Sequence, residues 1–185
     1  MEGSDYRLVQ AIGEGNRRAF EKIVKRYQKS LFNFIYRYLG EKAAAEDLTQ
    51  EVFLRVFLAA GRFEARPGAS VSTWIYRIAY HLSLNEIKRR KRFLRIRNHL
   101  EDTMPGGGDP SSSDLMEVEA LRQEILSGLQ LLPENQRAAL LLRVNEELSY
   151  KEISEVLQVS FSSVEALLFR ARQTLRQHIE RQITE

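Results

Sequence analysis

Apolar positions recur at three- and four-residue spacing along most of the chain, and no segment alternates as a strand does. Phe20, Ile23, Val24, Tyr27, Leu31, Phe34, Ile35 and Tyr38 form one such series, which predicts an amphipathic helix over 16–39 with Gly40 as its C-cap. A second helix is predicted over 42–60, ending at Gly61. Its later half (Val52, Phe53, Leu54, Val56, Phe57, Leu58) is apolar almost all round, the pattern of a helix packed on every side. After the loop FEARPGAS a third helix is expected from about Ser72. There Val71, Trp74, Ile75, Ile78, Ala79 and Leu82 follow the series of a buried stripe. Thr73, Tyr76, Arg77, Tyr80, His81, Leu84, Asn85 and Lys88 are left for the remaining surface.

The texture then changes. EDTMPGGGDPSSSD, residues 101–114, offers almost nothing to bury and reads as a flexible acidic linker. Beyond it, helices are predicted over 115–130, 133–145, 149–157 and 161–181. Pro133 suits a first helical turn, and Ser149 with Glu152 fits a capping box. The expected fold is all-α: two small helical domains, 1–97 and 118–185, joined by a linker over 98–117. Each half is expected to bury its own core.

Charge sharpens the picture. Residues 84–99 carry seven basic side chains and one acidic, whereas residues 100–119 carry six acidic and none basic, within a net charge of only +3. A concentrated basic block is the footprint that polyanions bind. Other classes recede. The chain has no cysteine, so disulfides, thiol nucleophiles and cysteine-held zinc are excluded. Its three histidines (81, 99 and 178) lack metal-ligand spacing, and its GGG lies in the linker instead of a phosphate-binding turn. Neither an enzyme nor a cofactor or metal site is expected. No apolar run approaches the roughly 18 residues of a membrane span, and MEGSDYRLVQ is not a signal peptide. The expected location is the cytoplasm.

Three surfaces carry candidate function. LSYKEISEVLQVSFSSVEALLFRARQTLRQHI has helix-turn-helix form, with Ile153, Val156, Leu157, Val164, Leu167, Leu168 and Ala171 inward. Ser162, Ser163, Glu165, Ala166, Phe169, Arg170, Arg172 and Arg176 lie opposite, where short side chains approach base edges and arginines hold phosphates. Glu165 either accepts from a cytosine amino group or, if Ser162 is the N-cap, closes a capping box. STWIYRIAYHLSLNEIKRRKR grades from aromatic to cationic, which suits a single strand: rings stack on bases at about 1–3 kcal/mol each and cations track the backbone. Trp74 belongs either to the core or to that strand-facing strip. On the second helix, Asp47, Gln50, Glu51 and Leu54 share one face, which is either a solvated helix start or a contact for a basic protein surface.

In this order, AFEKIVKRYQKSLFNFIYRYLG, AEDLTQEVFLRVF, STWIYRIAYHLSLNEIKRRKR, LPENQRAALLLRVNEELSYKEISEVL and SVEALLFRARQTL resemble the bacterial sigma factors of the extracytoplasmic-function (ECF) group, which carry only regions 2 and 4. The resemblance implies a transcription initiation factor. Asp47, Gln50, Glu51 and Leu54 would dock on the clamp helices of core RNA polymerase. Phe63, Trp74, Tyr76, Arg77, Tyr80, His81, Asn85, Lys88 and Arg89 would open and hold the minus-ten element as single-stranded DNA. Ser162, Ser163, Glu165, Ala166, Phe169, Arg170 and Arg172 would read the double-stranded minus-thirty-five element, with region 4 also gripping the polymerase flap. The linker would thread toward the RNA exit path, and an anti-sigma factor would be the regulatory partner. The chain departs from the family pattern at His81, where many relatives have asparagine. It departs again at Glu165 and Ala166, where a basic residue and serine are frequent, and at Gln158, where glycine is frequent. The alternative is a two-domain helix-turn-helix regulator acting without polymerase.

Overall fold

The structure, a computed structural model, describes residues 2–64, 70–98 and 113–184. Among them are α1 (Glu2–Gly13), α2 (Arg17–Leu39), α3 (Lys42–Ala59), a 3-10 turn (Ala60–Arg62), α4 (Val71–Asn98), α5 (Ser113–Gln130), α6 (Glu134–Val144), α7 (Tyr150–Leu157) and α8 (Phe161–Thr184). The described residues are helix and connecting turns, with no strand. Residues 99–112, most of the stretch read as a linker, lie outside the described residues, as do 65–69. No helix among the described residues is long and apolar enough to cross a membrane.

Local chemistry sets the ends of these helices. Asn16 caps α2 by accepting from the Ala19 N–H at 3.1 Å. Gly40 ends it at φ 77°, a left-handed conformation that glycine adopts without penalty. Ser149 and Glu152 form the expected capping box at the start of α7.

The pattern did not announce α1. Its buried positions are Val9, Ile12 and Asp5, so a carboxylate occupies the place where a third apolar residue would have completed the stripe. Asp5 accepts from Tyr27 Oη at 2.6 Å and pairs with Arg26, both on α2, which offsets the cost of burying it. Gly13, at the end of α1, lies so close to Gly61 that a Cβ on Gly13 would come within 2.7 Å of the Gly61 Cα.

Three expectations are corrected by the packing. First, α3 is not covered all round: Val52, Phe53 and Val56 are buried, while Leu54, Phe57 and Leu58 are exposed, Leu58 at 70 %. One stripe suffices to seat it on α2 and α4. Secondly, α4 is covered on two sides. Ile75, Ala79 and Leu82 face the amino-terminal helices as expected, but Thr73, Tyr76 and Tyr80 are also buried, the two tyrosines at 2 % and 3 % exposure.

Thirdly, the halves do not keep separate cores, because one apolar cluster runs from Val9 through Tyr76 and Tyr80 to Ile153 and Leu168. Polar contacts seal the junction. Tyr76 donates to Glu146, Tyr80 donates to Asn135 Oδ1 at 2.8 Å, and Lys91 pairs with Glu134. Arg137, buried, donates to the Tyr38 carbonyl at 2.6 Å and to the carbonyls of Gln130 and Leu132 at 3.0 Å. Spreading a guanidinium over several carbonyls is how a buried cation keeps its hydrogen bonds.

Candidate nucleic-acid interface

On α3, Asp47, Gln50, Glu51 and Leu54 fall on one face. Asp47, Gln50 and Leu54 are exposed, and Glu51 is half-buried with its carboxylate held by Arg55 at 2.7 Å. Leu58 continues the same i, i+4, i+7, i+11 series, although the sequence reading placed it among residues packed on every side. The signal for it was the helical register, overridden by the expectation that this half of α3 is core. The face is thus acidic at its start and apolar at its end.

On α4, the fold brings Phe63 and Trp74 together with ring centroids 4.6 Å apart, and Tyr6 backs Phe63 at 6.1 Å. Trp74 is half-buried: one side packs on Phe63 and another lines an open cavity of about 400 Å³. Arg77, Ile78, His81, Leu82 and Asn85 of α4 line the same cavity, with Arg55 of α3 and Gln158 from the turn between α7 and α8. Tyr76 and Tyr80 point away from it into the junction. Burial, followed by neighbouring Glu146 at Tyr76 and Glu134 at Tyr80, pushes both phenols above their ordinary pKa, so both stay protonated donors.

Farther along α4 the basic run divides. Lys88, Arg92 and Arg95 are exposed. Arg89 and Arg90 instead clasp Glu86 at 2.7–2.8 Å, and Arg90 also reaches Glu41. The bond from Arg89, with further help from Arg90, holds the Glu86 carboxyl at about 2, well below the ordinary carboxylate value. Part of KRRKR is therefore neutralised internally, and Lys88 is the cation closest to the cavity residues that keeps its charge outward.

In the carboxy-terminal pair, Ile153, Val156, Leu157, Val164, Leu168 and Ala171 are buried as expected, and Leu167 is half-buried. The turn is closed by Gln158 at φ 56°, and α8 is capped by Ser160, whose Oγ accepts from the Ser163 N–H at 3.2 Å. With Ser160 as N-cap, Glu165 lies beyond the capping-box position. Ser162, Glu165, Phe169, Arg170, Arg172 and Arg176 are exposed, and Ser163 and Ala166 are half-buried. Arg176 pairs with Glu180 at 2.7 Å. The described residues contain no group of three or more potential metal ligands.

The sigma-70 region 2 family matches residues 23–93 and the sigma-70 region 4 family matches residues 122–175. The chain is 34 % identical over 178 residues to RNA polymerase sigma-H factor of Pseudomonas aeruginosa, covering 92 % of this chain and 91 % of that one. It is 28 % identical to ECF RNA polymerase sigma factor SigW of Bacillus subtilis, over 97 % and 98 % of the two chains. Among solved structures, CnrH in complex with the cytosolic domain of CnrY superposes with a TM-score of 0.71 at 22 % identity, covering 96 % of this chain and 97 % of that one. The sigma factor RpoE of Bartonella quintana, in complex with the anti-sigma factor NepR, gives 0.68 at 20 % identity over 87 % and 96 %. These two likenesses establish the fold.

Proposed function

The chain belongs to the ECF group of the sigma-70 family, and from that membership we propose how its surfaces share the work of starting transcription. It binds core RNA polymerase, directs it to promoters and helps to open them. It supplies no chemistry of its own, since polymerase forms the phosphodiester bonds, and it works in the cytoplasm where that machine and the chromosome are found. An anti-sigma factor is its antagonist.

The exposed strip on α3 is the polymerase-docking surface. Asp47, Gln50 and Glu51 meet a basic helical partner, and Leu54 and Leu58 supply the dry centre that such contacts need. The cavity on α4 receives an unstacked base of the minus-ten strand. Phe63 and Trp74 give an aromatic platform, Arg77 and Lys88 hold phosphates, and His81 and Asn85 supply hydrogen bonds to a base edge. Arg89 adds charge to the same path only when it leaves Glu86, to which it is bonded at 2.8 Å. Stacking at about 1–3 kcal/mol per base offsets an unstacking cost of a few kcal/mol, so several contacts must act together. Helix α8 enters the major groove of the minus-thirty-five element through Ser162, Ser163, Glu165, Ala166 and Phe169, with Arg170 and Arg172 on phosphates.

The observation that carries this proposal is the juxtaposition of Trp74, Arg77, His81 and Asn85 around one open cavity, with Phe63 packed against the Trp74 ring. The packed arrangement joins the strand-facing helix to the duplex-reading pair, and the two promoter elements lie roughly 25 base pairs apart, about 85 Å at 3.4 Å per step. A compact chain of this length has a radius of gyration of about 16 Å. The two bodies therefore separate before both elements are held, and separation also frees Tyr80 for the strand.

Run-off transcription with core polymerase and a randomised promoter library tests the function. Transcripts from a definable promoter class are expected, and absence of initiation from every template overturns it. Asp47→Arg or Leu54→Glu is expected to weaken core binding at least tenfold with unchanged thermal stability. Unchanged affinity removes α3 from the docking surface.

A further inference from the structure

The duplex-reading face of α8 carries one carboxylate whose charge the protein itself does not use. Ser160 caps the helix, so Glu165 is not a capping residue. Its i±3 and i±4 neighbours are Ser162, Phe161, Leu168 and Phe169, so no cation stands where a helical ion pair would form. Some carboxylates on the helices do pair in that register, as in Glu51 with Arg55, Glu86 with Arg90 and Glu180 with Arg176. Glu165 is exposed and without a partner among the described residues. A bare negative charge facing a polyanion is unfavourable unless a donor receives it.

Chemistry narrows that donor. In the major groove the base edges offer two amino donors, N4 of cytosine and N6 of adenine. On adenine the amino group sits beside the N7 acceptor, whose lone pair repels a carboxylate. Cytosine presents its amino group with no acceptor of its own alongside. One turn on, Phe169 is 68 % exposed, a ring with no apolar cover on the same face. The apolar feature of the major groove is the 5-methyl group of thymine. Four residues of helix rise about 6 Å, and base pairs are spaced about 3.4 Å, so the two side chains reach base pairs one or two steps apart. Between them Ala166 is small enough to let the helix sit close.

We propose that Glu165 and Phe169 set the upstream promoter preference of this sigma factor: Glu165 accepts from the 4-amino group of a cytosine, and Phe169 packs on the 5-methyl group of a thymine one or two steps away. This assignment rests on α8 entering the major groove as proposed, and it names what is read there.

The experiment uses the full chain bound to core polymerase and a promoter library randomised over the upstream element, read by sequencing of templates that yield transcript. The native chain is expected to enrich one cytosine about tenfold, with a thymine one or two steps away. Glu165→Gln, an exposed and isosteric change, is expected to move that enrichment from cytosine to adenine, because an amide both accepts from N6 and donates to N7. Replacing the thymine by uracil, which lacks the methyl group, is expected to lower native binding about threefold and to leave Phe169→Ala unaffected. The same preferred base for native and Glu165→Gln overturns the cytosine contact, as does enrichment of adenine by the native chain. Equal uracil sensitivity in Phe169→Ala overturns the thymine contact. In each of these cases transcription continues and the family function stands. Absence of any transcript removes both that function and this readout.

Discussion

His81 is half-buried beside Arg77 and Lys88, and burial, followed by those two charges, holds its pKa below the ordinary histidine value of 6.5. Arg55 of α3 lines the same cavity and opposes protonation in the same sense. The ring is neutral at neutral pH, with one nitrogen to donate and one to accept, which suits a base edge better than a phosphate. The unfolded chain takes up this proton first as pH falls. The stability that the neutral ring contributes is therefore present above 6.5 and is lost as pH drops through the depressed folded value. In the same range the folded protein gains a cation on the α4 cavity, which on the proposed function faces the single strand. As pH is lowered below 6.5 until His81 is protonated, the slope of log affinity for single-stranded DNA against log salt is expected to steepen by up to about 0.7 in the native chain and less in His81→Ala. Titration of the slope by fluorescence anisotropy checks this, and identical pH responses in the two chains remove His81 from the cavity chemistry. At this scale register put Arg77, His81 and Asn85 on one face of α4 but assigned Trp74 to the buried stripe, whereas the structure sets all four around one cavity with Phe63 against Trp74. The sequence reading misjudged Tyr76 and Tyr80, since register says which way a side chain points and is silent on what comes to cover it.

Helix boundaries follow caps and breakers, which are local, and so they were legible. Asn16, Gly40, Ser149 and Ser160 each end or begin a helix at the position their chemistry favours. Helix α1 was illegible because Asp5 interrupts its apolar series, and only its partners Tyr27 and Arg26 on α2 make that residue tolerable in the interior. The turn between α7 and α8 carries a cost that the sequence does advertise, for Gln158 holds a left-handed conformation at φ 56° where glycine is the low-energy choice. Gln158→Gly is expected to raise stability by about 0.5–1 kcal/mol, the relief of the side-chain clash less the added entropy of the unfolded chain. A higher urea midpoint at unchanged m-value is the outcome that checks it; a lower midpoint means that the Gln158 side chain, which borders the α4 cavity, contributes more than the strain it brings.

Across the whole molecule the junction between the two bodies covers one side of α4, and on the proposed function it governs access to that helix. Tyr76–Glu146, Tyr80–Asn135, Lys91–Glu134 and Arg137 on the Tyr38 carbonyl hold α4 and the end of α2 against α6 and the segment leading to α7. Gly40 fits there as well as capping α2, because a Cβ would press to 3.1 Å from the Gln130 side chain. A neutral hydrogen bond contributes about 1 kcal/mol net, so removing two of these shifts the closed–open balance by roughly tenfold or more. The double variant Asn135→Ala, Glu146→Ala is expected to bind a single-stranded minus-ten oligonucleotide about tenfold more tightly in the absence of polymerase. A longer distance between fluorophores placed on α2 and α8 is expected to accompany it. Unchanged affinity and distance mean that the junction does not limit access.

The amino-acid sequence by itself determined the helical class, most helix ends, and the basic and acidic blocks. Each of these depends on neighbours within a few turns of chain. Tertiary structure alone decided that Asp5 is an interior residue, that α3 keeps an apolar edge open, and that two of the tyrosines read as strand contacts are sealed by the other half. Those outcomes depend on which surfaces meet across 20–100 residues of chain, as between Asp5 and Tyr27, Tyr80 and Asn135 or Tyr38 and Arg137, and no periodicity records such a meeting.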